Sequence, residues 1–295
     1  ATAKRLGDAH GLQMSGVLEK PILVPELETH LIRASQAQQS VTEQGLHEAI
    51  ENSDLVLHYQ PKLTLANGTP AAIKSVEALV RWAHPHHGLI MPNEFIPLAE
   101  ETGLISPLTD YVVAEAAEQM AAWRADGIEL AVAVNLAPQM LFHIGLPDRF
   151  AEIMESHGLK CSKLLLEITE SAAMADTTRT MEILARFRLK DMGLCIDDFG
   201  TGYSSLVELC RMPFSELKID KSLVIELHKN DEAKLIVRSI VELAHNLGLS
   251  VCAEGTETVE AIDFVHSIGC EVAQGYYVSR PLPPDELETF FAKAV

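Results

Sequence analysis

None of the five cysteines forms a C-x-x-C pair, no apolar run reaches membrane-spanning length, and only 23 lysines and arginines face 42 aspartates and glutamates. Each shortage excludes something. An odd set of scattered cysteines fits reduced structural thiols rather than a disulfide framework. With no apolar span and no signal-peptide pattern, the expectation is a cytoplasmic protein. A net charge of −19 argues against nonspecific binding to a nucleic-acid polymer or an anionic membrane. A phosphate ligand would then need metals or a few placed cations to offset the field locally. The rest of the composition is that of a globular chain: 295 residues, 47% hydrophobic and 22% charged, room for one large domain or a domain plus a fragment.

Residues 1–34 read as the end of another unit. Ala3–Leu12 has the pattern of a closing helix, Met14–Leu18 that of a short strand, and Leu27–Ile32 lies in a helix after Pro25. One strand with flanking helices buries no core alone. The ending GVLEKP, with Lys20–Pro21 after the strand, resembles the last strand of a response-regulator receiver domain. That resemblance implies a phosphate-contacting role for Lys20; an ordinary Lys-Pro turn is the alternative. Residues 35–43, containing the small polar stretch Ser35–Val41, read as a linker.

Beyond it the pattern is regular. A helix is expected over Glu43–Ile50 and a strand over Leu55–Gln60, with Asn67–Gly68 as a turn. From Val76 onward, amphipathic helices alternate with short apolar strands ending in polar residues. The strand ends carry Glu77, Asn135, Glu167 with Glu170, Asp197 with Asp198, Lys218 with Asp220, Glu254 and Gln274. Helical stripes run through Val113, Ala117, Met120 and Trp123; through Leu184 and Phe187, in a helix stopping at Gly193; and through Ile236, Ile240, Leu243 and Leu247. Apolar strands alternating with such helices imply a parallel sheet. Seven or eight units in this length imply a closed (β/α)8 TIM-like barrel, whose C-terminal strand ends share one mouth.

The stretch MGLCIDDFGTGYSSL is the centre of that pattern. Its adjacent carboxylates, Asp197 and Asp198, point to opposite faces of a strand unless the strand ends there. Side by side they also repel unless one is protonated or a cation lies between them. A solvated acidic turn is the plain reading of an isolated Asp-Asp. A barrel changes it, because Glu77, Asn135, Glu167, Asp197, Asp198 and Glu254 then face one cavity. Five carboxylates and an amide oxygen make a hard site suited to Mg²⁺ or Mn²⁺, with anionic charge enough for two ions. Lys218 reads as the one fixed cation nearby.

At these residues the chain resembles the EAL-domain cyclic-di-GMP phosphodiesterases. The matching blocks run in order from YQP (Tyr59–Pro61) through VEALVRW, NLAP, LEITES, DDFGTGYSSL, LKIDKSLV and AEGTET to QGYYVSRPLP (Gln274–Pro283). They cover residues 44–295, and with the receiver-like segment ahead the whole resembles a RocR-like response regulator. The resemblance implies a barrel whose first strand is antiparallel and which hydrolyses cyclic di-GMP to linear 5′-pGpG with two divalent cations. It implies Glu77, Asn135, Glu167 and Asp197 as ligands of the first metal. Asp197 and Asp198 would hold the second, Glu254 would act as base or contact metal-held water, and Lys218 would fix the hydrolytic water. Gln60, Leu79, Arg81, Gln274, Arg280 and Pro281 would contact substrate. Glu170 with Gly200, Thr201, Gly202, Tyr203 and Ser204 would couple the site to a dimer surface. A homo-oligomer and a sensor histidine kinase acting on the upstream receiver complete the implied partners. Ser75, Ala137 and Thr256 depart from the usual Gly, Ser and Val; none is an implied ligand.

Other residues read as structural. His84, His86 and His87 follow Trp82 into a loop, Ser205 is a loop hydrogen-bonder, and Glu100–Glu101 is a solvated turn. Two other functions stay open: a catalytically silent cyclic-di-GMP receptor, and a barrel hydrolase of another phosphoester.

Overall fold

The computed structural model describes residues 41–65, 72–201, 206–228 and 230–294. The receiver-like segment, most of the linker, the Asn67–Gly68 turn and the loop residues Gly202, Tyr203, Ser204 and Ser205 lie outside the described residues.

Nine strands are present among these: β1 (Leu55–Thr64), β2 (Ala72–His84), β3 (Gly88–Ile90), β4 (Ala131–Asn135), β5 (Leu164–Thr169), β6 (Gly193–Phe199), β7 (Glu216–Ile219), β8 (Ser250–Glu254) and β9 (Val272–Gln274). All but β3 close into a ring in the order β1-β2-β4-β5-β6-β7-β8-β9, with β9 returning to β1. β3 folds back on the end of β2 through the turn that holds His86 and His87, whose backbone N–H groups donate to Nδ1 of His84, the last residue of β2. β1 is antiparallel to both neighbours, while β2 and β4 through β9 run parallel. The connection from β1 to β2 is too short for a parallel crossover, so the chain reverses instead. The expected (β/α)8 barrel with an antiparallel first strand is therefore observed.

Apolar runs buried on both faces build the staves: Val132–Val134, Leu194–Ile196 and Val251–Ala253 are all buried. Outside them pack α1 (Glu43–Glu51), α2 (Pro92–Thr102), α3 (Ile105–Ala125), α4 (Leu146–Ser156), α5 (Glu170–Ala175), α6 (Thr177–Leu189), α7 (Asp231–Asn246), α8 (Val259–Ser267) and α9 (Pro284–Ala294). Side-chain caps start several of them. Thr42, Thr169, Asp176, Asn230 and Thr258 accept from backbone N–H groups of the first turns of α1, α5, α6, α7 and α8. The α3 stripe is core as expected: Val113, Ala117, Met120 and Trp123 are buried.

Three sequence expectations need correction. On α7 the buried face is Ala233, Val237, Ile240, Val241 and Ala244, and Ile236 is 39% exposed. These five positions have the i, i+4, i+7, i+8, i+11 spacing of one helical stripe, which Ile236, Leu243 and Leu247 flank. Gly193 does not stop α6, which ends at Leu189; it begins β6, where a Cβ would come within 2.6 Å of Leu165 Cδ1. Glu100 and Glu101 form the last turn of α2 rather than a loop.

Candidate active site

The registers put the polar residues inside the ring rather than only at its rim. Glu77 is in the middle of β2 because the end of that strand pairs with β3; it lies opposite Gln60 on one side and Ala133 on the other. Glu167 stands level with Asn135 and Cys195, Lys218 with Cys252, and Gln274 with both Glu254 and Lys62. With a period of two along each strand, Gln60 and Lys62, Cys195 and Asp197, Glu216 and Lys218, and Cys252 and Glu254 share the inward face. On β6, β7 and β8 the lower-numbered residue of each pair lies toward the barrel floor; on the antiparallel β1 the order is reversed, so Lys62 lies below Gln60.

Lys218 is the hub. Its Nζ is 2.7 Å from Glu167 Oε2, 2.7 Å from Glu254 Oε1, 3.4 Å from Asp197 Oδ1 and 3.6 Å from Glu77 Oε2, and its side chain is 1% exposed. Glu77 is held further: Asn135 Nδ2 donates to Oε1 at 2.7 Å, and Gln274 Nε2 donates to Oε2 at 2.5 Å. Gln274 Nε2 also reaches Gln60 Oε1 at 3.1 Å, and Gln60 Nε2 donates to the carbonyl of Ser279. Gln274 depends on close backbone packing just beyond it. Any Cβ at Gly275 would meet the Thr256 backbone within 2.4 Å, so only glycine fits there.

Asp197 and Asp198 resolve the strand paradox in an unexpected way. Both are within β6, but its pairing with β7 is irregular between Ile196 and Phe199, and Asp198 has a φ of 55°. This left-handed residue breaks the alternation. Oxygens of Asp197, Asp198 and Glu254 then all lie within 4.8 Å of one another. The backbone of Asp198 donates to Asp197 Oδ1 at 2.9 Å. Gly200, at a φ of 101°, donates its N–H to Glu170 Oε2 at 3.0 Å, so the buried Glu170 at the start of α5 is tied to the loop after β6. Thr201 Oγ1 donates to the Asp198 carbonyl.

The electrostatics follow from packing many anions around few cations. Burial and the charge of Glu77 push Glu167 up to about 8, against the pull of Lys218 and Lys62. Burial, with Asp197 and Glu77, pushes Glu254 up to about 7 despite Lys218. Burial and Asp197 put Asp198 at about 6. For Glu77, burial is outweighed by Lys218 and by the Gln274 and Asn135 hydrogen bonds, and its carboxyl is held down at about 2. Burial opposes the charge on Lys218, but its carboxylates raise its pKa well above the usual lysine value. A site whose carboxylates hold protons near neutrality has an excess of negative charge that a bound cation relieves. The oxygen donors Glu77, Asn135, Glu167, Asp197, Asp198 and Glu254 fit hard divalent ions.

The structure brings most of the expected site residues together and shows one that the sequence did not signal. Leu79 lines a cavity of about 300 Å³ beside Asn135 and Glu167, which Glu100 also borders. Arg81 is buried and donates to the carbonyl of Val80. Arg280 is exposed, its guanidinium 4.1 Å from the ring centre of Tyr276, and Pro281 leads into Leu282, which pairs with Tyr59. Lys218 is not the one fixed cation. Lys62 is a second, fully buried below Glu167 and also bonded to Glu216. Its only sequence sign is a lysine at an alternate position in the strand-length run Leu55–Leu65.

Comparison with known proteins agrees with this fold. The family model described as the EAL domain matches residues 43–281. The Pseudomonas aeruginosa protein named bifunctional diguanylate cyclase/cyclic di-GMP phosphodiesterase MucR is 44% identical over 243 residues, covering 82% of this chain and 35% of that protein. The cyclic di-GMP phosphodiesterase NbdA of the same organism is 41% identical over 261 residues, covering 88% and 33%. The chain thus spans about a third of the length of these relatives. The solved structure titled "PaMucR Phosphodiesterase, c-di-GMP complex" superposes with a TM-score of 0.78 at 43% identity, covering 85% of this chain and 99% of that one.

Proposed function

The chain belongs to the EAL domain family, and from that premise we propose that it hydrolyses one phosphodiester linkage of cyclic di-GMP to give linear 5′-pGpG, with two Mg²⁺ or Mn²⁺ ions as cofactors. The observation that carries the reading is the convergence of Glu77, Glu167, Asp197 and Glu254 on the single ammonium of Lys218. Relatives named as cyclic di-GMP phosphodiesterases support the choice of substrate.

In this reading Glu77, Asn135, Glu167 and Asp197 would hold one ion, and Asp197 with Asp198 would hold the other. Bound divalent ions supply positive charge against the phosphate and lower the pKa of water at the site. The chain's own groups do the rest. Glu254, held near neutrality and at the mouth, takes the proton from the attacking water. The water oxygen bonds to phosphorus as the bond to the 3′ oxygen breaks; that oxygen takes up a proton from bulk water to leave as the 3′ hydroxyl, and Glu254 returns its proton to solvent. Lys218 stabilises the negative charge that develops on the phosphoryl group. Gln60, Gln274, Arg81, Arg280 and Pro281 hold the dinucleotide, and Leu79 forms an apolar wall. The contact between Glu170 and Gly200 couples the β6 loop to the outer helices, which suits a site that responds to homo-oligomer formation. A kinase-phosphorylated receiver ahead of residue 35 would be the signal input.

The test is product analysis. The protein is incubated with cyclic di-GMP in Mg²⁺ or Mn²⁺, and in parallel with excess EDTA, and the products are separated by chromatography. Metal-dependent 5′-pGpG is the expected result. Retained cyclic di-GMP binding with no product overturns the enzyme in favour of a receptor.

A further inference from the structure

We propose that Lys62 is a positioning residue that grips the Glu167 carboxylate from the barrel floor and leaves its other oxygen turned to the mouth for a divalent cation. The inference rests on the metal reading given above.

Lys62 enters the barrel from β1, the antiparallel stave, and its side chain is 0% exposed. Its Nζ lies 2.7 Å from Glu216 Oε1 and 3.4 Å from Glu167 Oε1. Glu167 is equally buried, and its second oxygen, Oε2, accepts from Lys218 at 2.7 Å. The two oxygens of one carboxylate thus face different cations on different levels. Lys62 is below, beside Cys195, Cys252 and Glu216, while Lys218 is above, among the carboxylates of the mouth.

A glutamate's terminal torsion is broad and nearly two-fold, so a buried carboxylate held at one oxygen is free to rotate. A second bond, from below, fixes its plane. Glu216 in turn fixes Lys62: it sits two residues before Lys218 on β7, on the same inward face. The result is a chain of alternating charge, Glu216–Lys62–Glu167–Lys218–Glu254, running from floor to mouth. An ammonium taken wholly out of water is costly, and an unbranched apolar side chain would fill the same space. What such a replacement would lack is the bond to Glu167.

The experiment measures Mn²⁺ affinity by the electron paramagnetic resonance signal of free Mn²⁺, on the whole chain without substrate. Wild type is compared with K62M, K62R and E216Q, each checked for folding by its melting curve in chelator. Loss of a partner that orients a ligating carboxylate weakens metal binding about 10–100-fold, and that is the shift expected for K62M. E216Q shows a smaller loss in the same direction, and K62R recovers most of the affinity. In turnover assays the Mn²⁺ concentration for half-maximal rate rises, while KM for cyclic di-GMP at saturating Mn²⁺ does not. Folded K62M that binds Mn²⁺ as wild type does overturns the proposal, because a purely structural lysine moves the melting curve and not the metal affinity. Should K62M not fold, E216Q with unchanged affinity overturns it equally. Wild type that binds no Mn²⁺ removes the metal reading and this inference together. Wild type that binds Mn²⁺ but turns over no cyclic di-GMP, with K62M weakened, overturns the phosphodiesterase and supports the inference.

Discussion

Replacing Lys218 by methionine separates its structural work from its chemistry. The ammonium lies within 3.6 Å of four carboxylates and is 1% exposed. Removing one partner of a buried charge cluster leaves the others uncompensated, at about 3–5 kcal/mol. For a domain of this size each kcal/mol lowers the melting temperature by about 2–4 °C, so in EDTA the variant melts about 6–20 °C below wild type. Added Mn²⁺ then acts in the opposite direction. A ligand at 100 times its Kd stabilises the folded state by about 2.7 kcal/mol. At one fixed Mn²⁺ concentration the wild-type gain is the smaller, because the cation competes with Lys218 for the same oxygens and its Kd is higher. In the variant the competitor is gone, so the Mn²⁺-induced rise in melting temperature exceeds that of wild type. Turnover does not follow stability: with Mn²⁺ saturating, kcat stays about 10²–10³-fold down, the usual loss for one group that stabilises developing charge. The assay is a pair of thermal melts, in EDTA and in Mn²⁺, read beside product formation. An unchanged melt in EDTA, or an Mn²⁺ gain no larger than that of wild type, shows that Lys218 neither neutralises these carboxylates nor competes with the cation.

Other consequences are equally measurable. Asp197→Asn keeps the shape but removes a carboxylate shared by the site, and 5′-pGpG formation should fall close to background; normal turnover removes Asp197 from the machinery. Glu167 at about 8 and Glu254 at about 7 lie above the ordinary carboxylate value, so the folded chain holds protons that the unfolded chain has released. The stability they add is complete below the unfolded value and is lost as pH rises through 7 and 8. Melts in chelator should therefore decline from pH 5 to 8 by an amount on the order of a few kcal/mol, and Mn²⁺ binding at pH 6.5 should release protons into the buffer. Glu77, held down at about 2, acts only below that window. A rising melting temperature over pH 5–8 without metal contradicts the site electrostatics. Thr256 is fully buried, and its Oγ1 has no partner among the described residues. Thr256→Val should raise the melting temperature by about 2–4 °C, for about 1 kcal/mol recovered; a lower value shows that the hydroxyl is bonded.

The barrel was legible because its signals are local and repeated. Apolar strands such as Val132–Val134 and Val251–Ala253 alternate with the core stripe of α3, and the polar strand ends point to one mouth. What stayed hidden depends on relations between strands. Nothing in β1 alone says that Lys62 meets Glu167 and Glu216, which lie 105 and 154 residues away. The Asp-Asp pair posed a real difficulty for a regular strand, and the left-handed turn at Asp198 that removes it is not encoded by any glycine. The α7 face is ambiguous in sequence because two apolar stripes overlap on it, one through Val237 and Val241 and one through Ile236 and Leu243, and only the first is buried. Glu77 reads as a strand end only until the pairing of β2 with β3 is known.

The proposed hydrolysis needs two divalent cations in the barrel mouth, on Glu77, Asn135, Glu167, Asp197 and Asp198. The most direct measurement is crystallographic: anomalous scattering from Mn²⁺ in crystals grown with the metal and an uncleaved cyclic di-GMP analogue. Two peaks about 3.5–4 Å apart, with Asp197 touching both and Glu167 touching one, are the predicted result. A single peak away from these residues, or none where the analogue is bound, rules out the two-metal site.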